Sequence, residues 1–180
     1  DTDEELDYYQ EGEICITGPS MMKGYYQRQE ETDHVMRMHS DGKVWVHSGD
    51  VGYMDEDGFL YIKGRIKRMI TKFDGHKVFP VQLEGVFGKH KDVEACAVVG
   101  LKDPNHVQGD IPILFVKLVP GADQKTAEKE LKAFYDKLEL RGLPDDMVFI
   151  DEMPREGMGK IAYQRLSDMY TEQMNQAQAV

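Results

Sequence analysis

Cysteine, long apolar runs and surplus positive charge are all scarce in this chain of 180 residues, and each scarcity removes a class of protein. There are only two cysteines, Cys15 and Cys96, and each sits in an apolar, strand-like run (EICITG and EACAVVG). Both are expected to be buried reduced thiols, which points to a cytoplasmic protein rather than a disulfide framework. No window reaches the apolar length needed to span a bilayer. No basic and apolar start reads as a signal peptide. The formal net charge is -11, whereas a nucleic-acid binder needs a broad cationic face to release counterions. Neither Cys-x-x-Cys nor His-Glu-x-x-His occurs, so no metal site is expected. His34, His39, His47, His76, His90 and His106 are read as surface or loop residues, with His76 set apart by its cationic surroundings. A Gly-x-Ser-x-Gly nucleophile elbow is also missing.

What is present is an ordinary globular composition, 41% hydrophobic and 31% charged, long enough for one domain or two small ones. Residues 1–11 are acidic and expected to fray. Strands are expected over 13–18 and 44–47, with a short helix over 30–38 between them. Ser48-Gly49-Asp50 reads as a turn between two strands. Residues 51–54 and 59–62 then form a hairpin across Asp55-Glu56-Asp57-Gly58, where Asp-Gly favours the required turn. That acidic quartet lacks the spaced oxygens and closing Glu of a calcium loop. A second hairpin is expected across Phe73-Asp74-Gly75-His76. Pro80 then opens a helix with Leu83, Val86 and Phe87 on one face.

Strands follow over 94–101 and 113–119. The clearest helix covers 126–140, with Ala127, Leu131, Phe134, Tyr135 and Leu138 as its apolar stripe. A strand over 147–150, a loop over 154–160 and a helix over 161–170 complete the pattern, with a loose Gln-rich tail after Thr171. Helices and strands mix without strict alternation, so the fold class is α+β.

Several residues suit phosphate and sugar chemistry. Lys63, Arg65, Lys67, Arg68, Lys72, His76 and Lys77 form a cationic run within an acidic chain. Such a run is either a solvated face or a phosphate site. Asp50 has the carboxylate that accepts two hydrogen bonds from a vicinal diol, though it equally suits a turn cap. Arg65 follows Gly64 and offers a forked donor, or else a surface salt bridge. Gly157-Met158-Gly159-Lys160 ends like a phosphate-binding loop. However, Glu152 stands where the first Gly of a Walker loop belongs, and Ile161 replaces its Ser or Thr. What remains is a lysine on a Gly-flanked loop, able to stabilise charge that develops in a transition state.

The order of these pieces resembles the C-terminal part of the adenylate-forming superfamily: acyl-CoA synthetases, luciferases and the adenylation domains of nonribosomal peptide synthetases. Gly12-Glu13-Ile14, Thr17-Gly18-Pro19 and Met22-Lys23-Gly24-Tyr25-Tyr26 resemble the segment before its ribose site. Ser48-Gly49-Asp50 with Gly52, Asp55 and Asp57-Gly58 resembles its Thr-Gly-Asp block. Gly64-Arg65-Ile66-Lys67 with Gly75, Val78, Pro80 and Glu84 is similar to its hinge block. Pro154-Arg155, Gly159-Lys160-Ile161 and Leu166 are similar to its catalytic-lysine block.

The resemblance implies that residues 1–66 end a large AMP-binding domain and that 67–180 form a small mobile domain. It implies that Asp50 binds the ribose of ATP or AMP, that Arg65 contacts ribose or phosphate, and that Lys67 is the hinge. Lys160 would be the catalytic lysine of adenylation. Gly75, His76 and Lys77 would meet CoA or its phosphates. Magnesium would accompany ATP without a ligand identifiable here. The implied partners are a carboxylic acid, CoA and an upstream large domain.

The leading expectation is an AMP-forming acyl-CoA synthetase, with this chain alone unable to complete adenylation. One alternative is an adenylation domain that loads a carrier protein. Another is a non-catalytic module that binds nucleotide or a partner. Ser48 in place of Thr, Gln82 in place of Glu, and a stretch from Lys67 to Gly75 one residue longer than usual depart from the family pattern.

Overall fold

A computed structural model describes residues 3–136 and 143–178. These divide into two units, Asp1–Lys67 and Arg68–Val180. No helix among the described residues is long and apolar enough to cross a membrane.

The first unit is built on one long strand. Strand β1 (Gly12–Ile16), helix α1 (Gln29–Val35), strand β2 (Met36–Met38), strand β3 (Val44–Met54) and strand β4 (Leu60–Arg65) follow in order. β1 runs antiparallel along one edge of β3. The other edge is shared, β2 pairing with Val44 to Val46 and β4 with Asp50 to Met54. The expected hairpin after Met54 is present. Asp55 closes it, its Oδ1 accepting the Asp57 and Phe59 N–H groups.

Three expectations are corrected here. β3 runs unbroken through Ser48-Gly49-Asp50, where a turn was expected. The helix expected over 30–38 stops at Val35, because Met36 turns to the extended conformation and pairs with Val46. The segment expected to fray is tied down where Tyr9 N–H donates to Met54 O at 2.8 Å.

The second unit begins with a hairpin of β5 (Ile70–Thr71) and β6 (Lys77–Val78), followed by α2 (Pro80–Phe87). Strands β7 (Val93–Lys102) and β8 (Asp110–Leu118) pair antiparallel. Helix α3 (Gln124–Asp136) then crosses to β9 (Asp146–Phe149), which lies parallel to β8. Asp123 starts α3 by accepting the Thr126 N–H and hydroxyl. Leu138, expected on its apolar stripe, lies outside the described residues.

The short ladder of β10 (Arg155–Glu156) and β11 (Lys160–Ile161) leads into α4 (Tyr163–Gln178). α4 continues well past Tyr170, so the expected loose tail is helical as far as Gln178.

β7, β8 and β9 form a sheet covered on both faces. Alternation sends Val98, Leu114 and Val116 into one cluster with Ile70, Val78, Leu83, Phe87 and Leu131. Ala97, Val99, Ile113 and Phe115 go to the other face, against Met153 and Leu166. The hairpin, α2 and α3 thus cover one side and α4 the other. This is why β8 reads Ile-Pro-Ile-Leu-Phe-Val without a polar break. Every buried hydrophobic side chain among the described residues belongs to this second unit, from Ile70 to Leu166. The first unit leaves Phe59, Leu60, Tyr61 and Ile62 exposed.

Candidate functional site

Asp50 is presented by a bulge. Between the pairs Glu13↔Val51 and Cys15↔His47, β1 contributes Ile14 alone while β3 contributes Ser48, Gly49 and Asp50. The extra residues buckle the strand and re-aim its side chains. Gly49 takes φ 73, a left-handed value that costs glycine little. Its N–H donates to Glu13 Oε1 at 2.9 Å, and Asp50 N–H donates to Ser48 Oγ at 3.0 Å. Asp50 faces its register partner Arg65, whose Nε lies 2.8 Å from Asp50 Oδ1. Arg65 is largely exposed. A carboxylate fixed by one oxygen beside an open guanidinium suits a ligand that combines hydroxyls with an anion.

The cationic run resolves into paired and unpaired members. Lys63 pairs with Glu11, Arg65 with Asp50, Arg68 with Glu84 and Lys72 with Asp145. Lys67 and Lys77 make no ion pair among the described residues and are exposed. Lys67 is in a 3-10 turn, Ile66–Arg68, and is the last residue of the first unit. A single fixed phosphate pocket is therefore not what this run provides.

Arg68 fastens the start of the second unit. Its Nη2 lies 2.6 Å from Glu84 Oε1, and its guanidinium sits 3.8 Å above the Tyr163 ring. The same Glu84 oxygen accepts the Val98 N–H at 2.9 Å. Burial and the Glu84 carboxylate push the Tyr163 hydroxyl pKa up. Nothing in the spacing of these residues signals this node, which ties α2, β7 and α4 together across long sequence separations.

Gly75, His76 and Lys77 lie at the tip and first β6 residue of the hairpin. The Lys72 N–H bonds to His76 O, and the Gly75 N–H bonds back to Lys72 O. An added Cβ at Gly75 would meet nothing within 4 Å. The lengthened stretch finds its own support, since Phe73 stacks flat on His106 with ring centroids 3.7 Å apart.

Lys160 opens β11. The expected loop around it is in fact a closed ladder, with Arg155 opposite Ile161 and Glu156 opposite Lys160. Arg155 Nη1 donates to Gly159 O at 2.7 Å, and Ala162 N–H closes the base on Pro154 O. Met158 takes φ 56, a left-handed conformation that costs a side-chain-bearing residue about 1 kcal/mol. Lys160 is exposed and has no ion pair among the described residues. Its neighbour Ile161 packs against the cluster on the α4 face of the sheet. Ile70 and Val78, which carry the hairpin, belong to the cluster on the opposite face. Lys160 and the Gly75 tip are thus attached through opposite faces of one sheet.

Two further expectations change. His47 was read as a surface or loop residue, yet it lies within β3 with its side chain only 11% exposed; His39 lies in the loop after β2, as expected, and is shielded to the same degree. Cys15 and Cys96 are free and half-buried rather than fully buried. Burial and Glu84 push the Cys96 thiol up to about 11.

The AMP-binding enzyme C-terminal domain matches residues 82–160. A 4-coumarate–CoA ligase-like protein of Oryza sativa subsp. japonica is 36% identical over 97% of this chain. The o-succinylbenzoate CoA synthetase of Bacillus subtilis, solved with its acyl-adenylate, superposes with TM-score 0.75 and 27% identity over 91% of the chain. The amide bond synthetase McbA of Marinactinospora thermotolerans superposes with TM-score 0.74 and 30% identity over 93%. The chain spans 30%, 31% and 32% of the lengths of these three proteins respectively. By sequence and by fold, the chain corresponds to the C-terminal part of the adenylate-forming enzymes, and its residues 82–160 match the AMP-binding enzyme C-terminal domain.

Proposed function

We propose that this chain is the alternating part of an AMP-forming acyl-CoA synthetase. Residues 1–66 are assigned to the end of the large AMP-binding domain and 67–180 to the small mobile domain. The observation that carries the proposal is the attachment of Lys160 and the Gly75 tip through opposite faces of one sheet, both exposed. In the first half-reaction a substrate carboxylate oxygen attacks the α-phosphorus of ATP, and the bond to pyrophosphate breaks. Lys160, unpaired, is suited to offset the negative charge that develops there. In the second, the CoA sulfur attacks the acyl carbonyl and AMP leaves. Lys160 has no role in that step, and the opposite face has to arrive. The open space at Gly75 and the unpaired Lys77 suit the passage of a phosphopantetheine arm.

Asp50 is assigned to the ribose hydroxyls, with Arg65 beside it for ribose or phosphate. Lys67, at the boundary between the units, is assigned as the pivot. The exposed Phe59 to Ile62 edge is consistent with a first unit that is part of a larger body. ATP, with its magnesium, and CoA are the implied cosubstrates.

The full-length enzyme tests this reading by ATP–pyrophosphate exchange across a panel of carboxylic acids, followed by AMP release with and without free CoA. Acid-dependent exchange, with AMP release driven by CoA, is expected. Exchange whose acyl group moves only to a carrier protein or an amine would overturn the CoA assignment. Absence of exchange with every acid would overturn the enzyme assignment.

A further inference from the structure

The first unit gathers a sulfur and two imidazoles that the proposed reaction leaves unused. Cys15 on β1 lies opposite His47 on β3. His39 follows β2 directly, and its N–H bonds to Lys43 O, which folds it back beside β3. His39 Nε2 lies 3.0 Å from His47 Nε2, and Cys15 Sγ lies 3.6 Å from His47 Nδ1. One ligating atom from each of the three residues falls within 4.8 Å of the others.

His47 is held as a metal-ligating imidazole usually is. Glu13 Oε2 is 2.7 Å from His47 Nδ1, while Glu13 Oε1 is fixed by the Gly49 N–H. A carboxylate on Nδ1 keeps the proton there and leaves the Nε2 lone pair directed at His39. Trp45 stacks on the His39 ring at 5.5 Å and 23°. Asp3 Oδ1 lies 4.0 Å from His39 Nε2, outside the cluster of three ligating atoms. A tetrahedral zinc ion with bonds of about 2.0–2.1 Å to nitrogen sets its ligand atoms about 3.3 Å apart, close to the spacing of the two Nε2 atoms.

We propose that Cys15, His39 and His47 form a zinc-class divalent-cation site whose fourth position is open to water. On binding, the Cys15 thiol gives its proton to solvent and the sulfur becomes a thiolate ligand. Glu13 positions His47 and also holds the Gly49 N–H of the Asp50 bulge. The ion therefore braces the strand that presents Asp50. No motif spacing announces the site, because its ligands come from three places in the sequence and meet only through strand pairing.

Cobalt(II) is the probe. The chain, free of any polyhistidine tag and stripped with a chelator, is titrated with cobalt chloride and then with zinc chloride. The site predicts a thiolate-to-cobalt charge-transfer band together with the visible bands of tetrahedral cobalt, saturating at about one equivalent. Zinc bleaches both. Cys15→Ser loses the charge-transfer band, and Cys96→Ser keeps it. His39→Gln loses the tetrahedral bands, and Glu13→Gln weakens binding by about 10–100-fold. Circular dichroism establishes that each variant is folded. Lack of a charge-transfer band in the unmutated chain, a measurement that needs no variant, would overturn the proposal. So would a band that survives Cys15→Ser or disappears with Cys96→Ser.

Discussion

Asp50 and Arg65 meet because two strands put them opposite each other, and the value of their contact lies in position more than in stability. Their side chains are 25% and 64% exposed. A pair so solvated contributes about 0–1 kcal/mol. What it does is hold the Asp50 carboxylate beside an exposed guanidinium. Replacing Asp50 by alanine in the full-length enzyme should leave the unfolding midpoint nearly unchanged. It should weaken nucleotide binding about 10–100-fold, as expected for one lost hydrogen-bond system to a charged group. Titration calorimetry with AMP measures this, and unchanged affinity would remove Asp50 from the ribose role. From sequence, Asp50 could be singled out but its partner could not. The resemblance marked both residues, whereas the 2.8 Å pairing depends on a register that the bulge at Ser48 to Asp50 sets.

At the scale of elements, the second unit was the more legible. Its helices bury one periodic face each and its central strands are apolar on both faces, so hydrophobic patterning located α2, β7, β8 and the start of α3. The first unit was harder to read, because it buries little and its order comes from pairing along β3. An apparent turn there is a bulge, and the end of an apparent helix is a strand. His47 was misread for the same reason. Neighbourhood across strands leaves no mark on the local pattern.

The packing of α2 against β7 also has a pH signature. Cys96 donates to Glu84 O at 3.4 Å, and burial with the Glu84 charge raises its pKa from 9.0 to about 11. The folded chain therefore holds the thiol proton more tightly than the unfolded chain does. The resulting stabilisation is complete below pH 9 and is lost as pH rises from 9 towards 11. Urea midpoints measured across that range should fall, and Cys96→Ala should flatten the fall. An equal slope in the variant would assign the loss to other groups, such as Tyr170, whose hydroxyl is pushed up to about 12.

On the scale of the whole molecule, the chain divides into two units between Lys67 and Arg68, with all its described buried hydrophobic side chains in the second. The cationic run that dominates the sequence is mostly neutralised by Glu11, Asp50, Glu84 and Asp145. This leaves exposed lysines at position 67, the proposed pivot, at the hairpin and, far along the chain, at position 160. Those positions suit a reaction in two steps that uses two faces of one small domain. The most direct test is to separate the half-reactions in the full-length enzyme carrying Lys160→Ala. Acyl-adenylate formation, read by ATP–pyrophosphate exchange, should slow by about 10²–10³-fold, while thioester formation from supplied acyl-AMP and CoA stays near the unmutated rate. Unchanged exchange, or equal loss in both steps, would contradict the account.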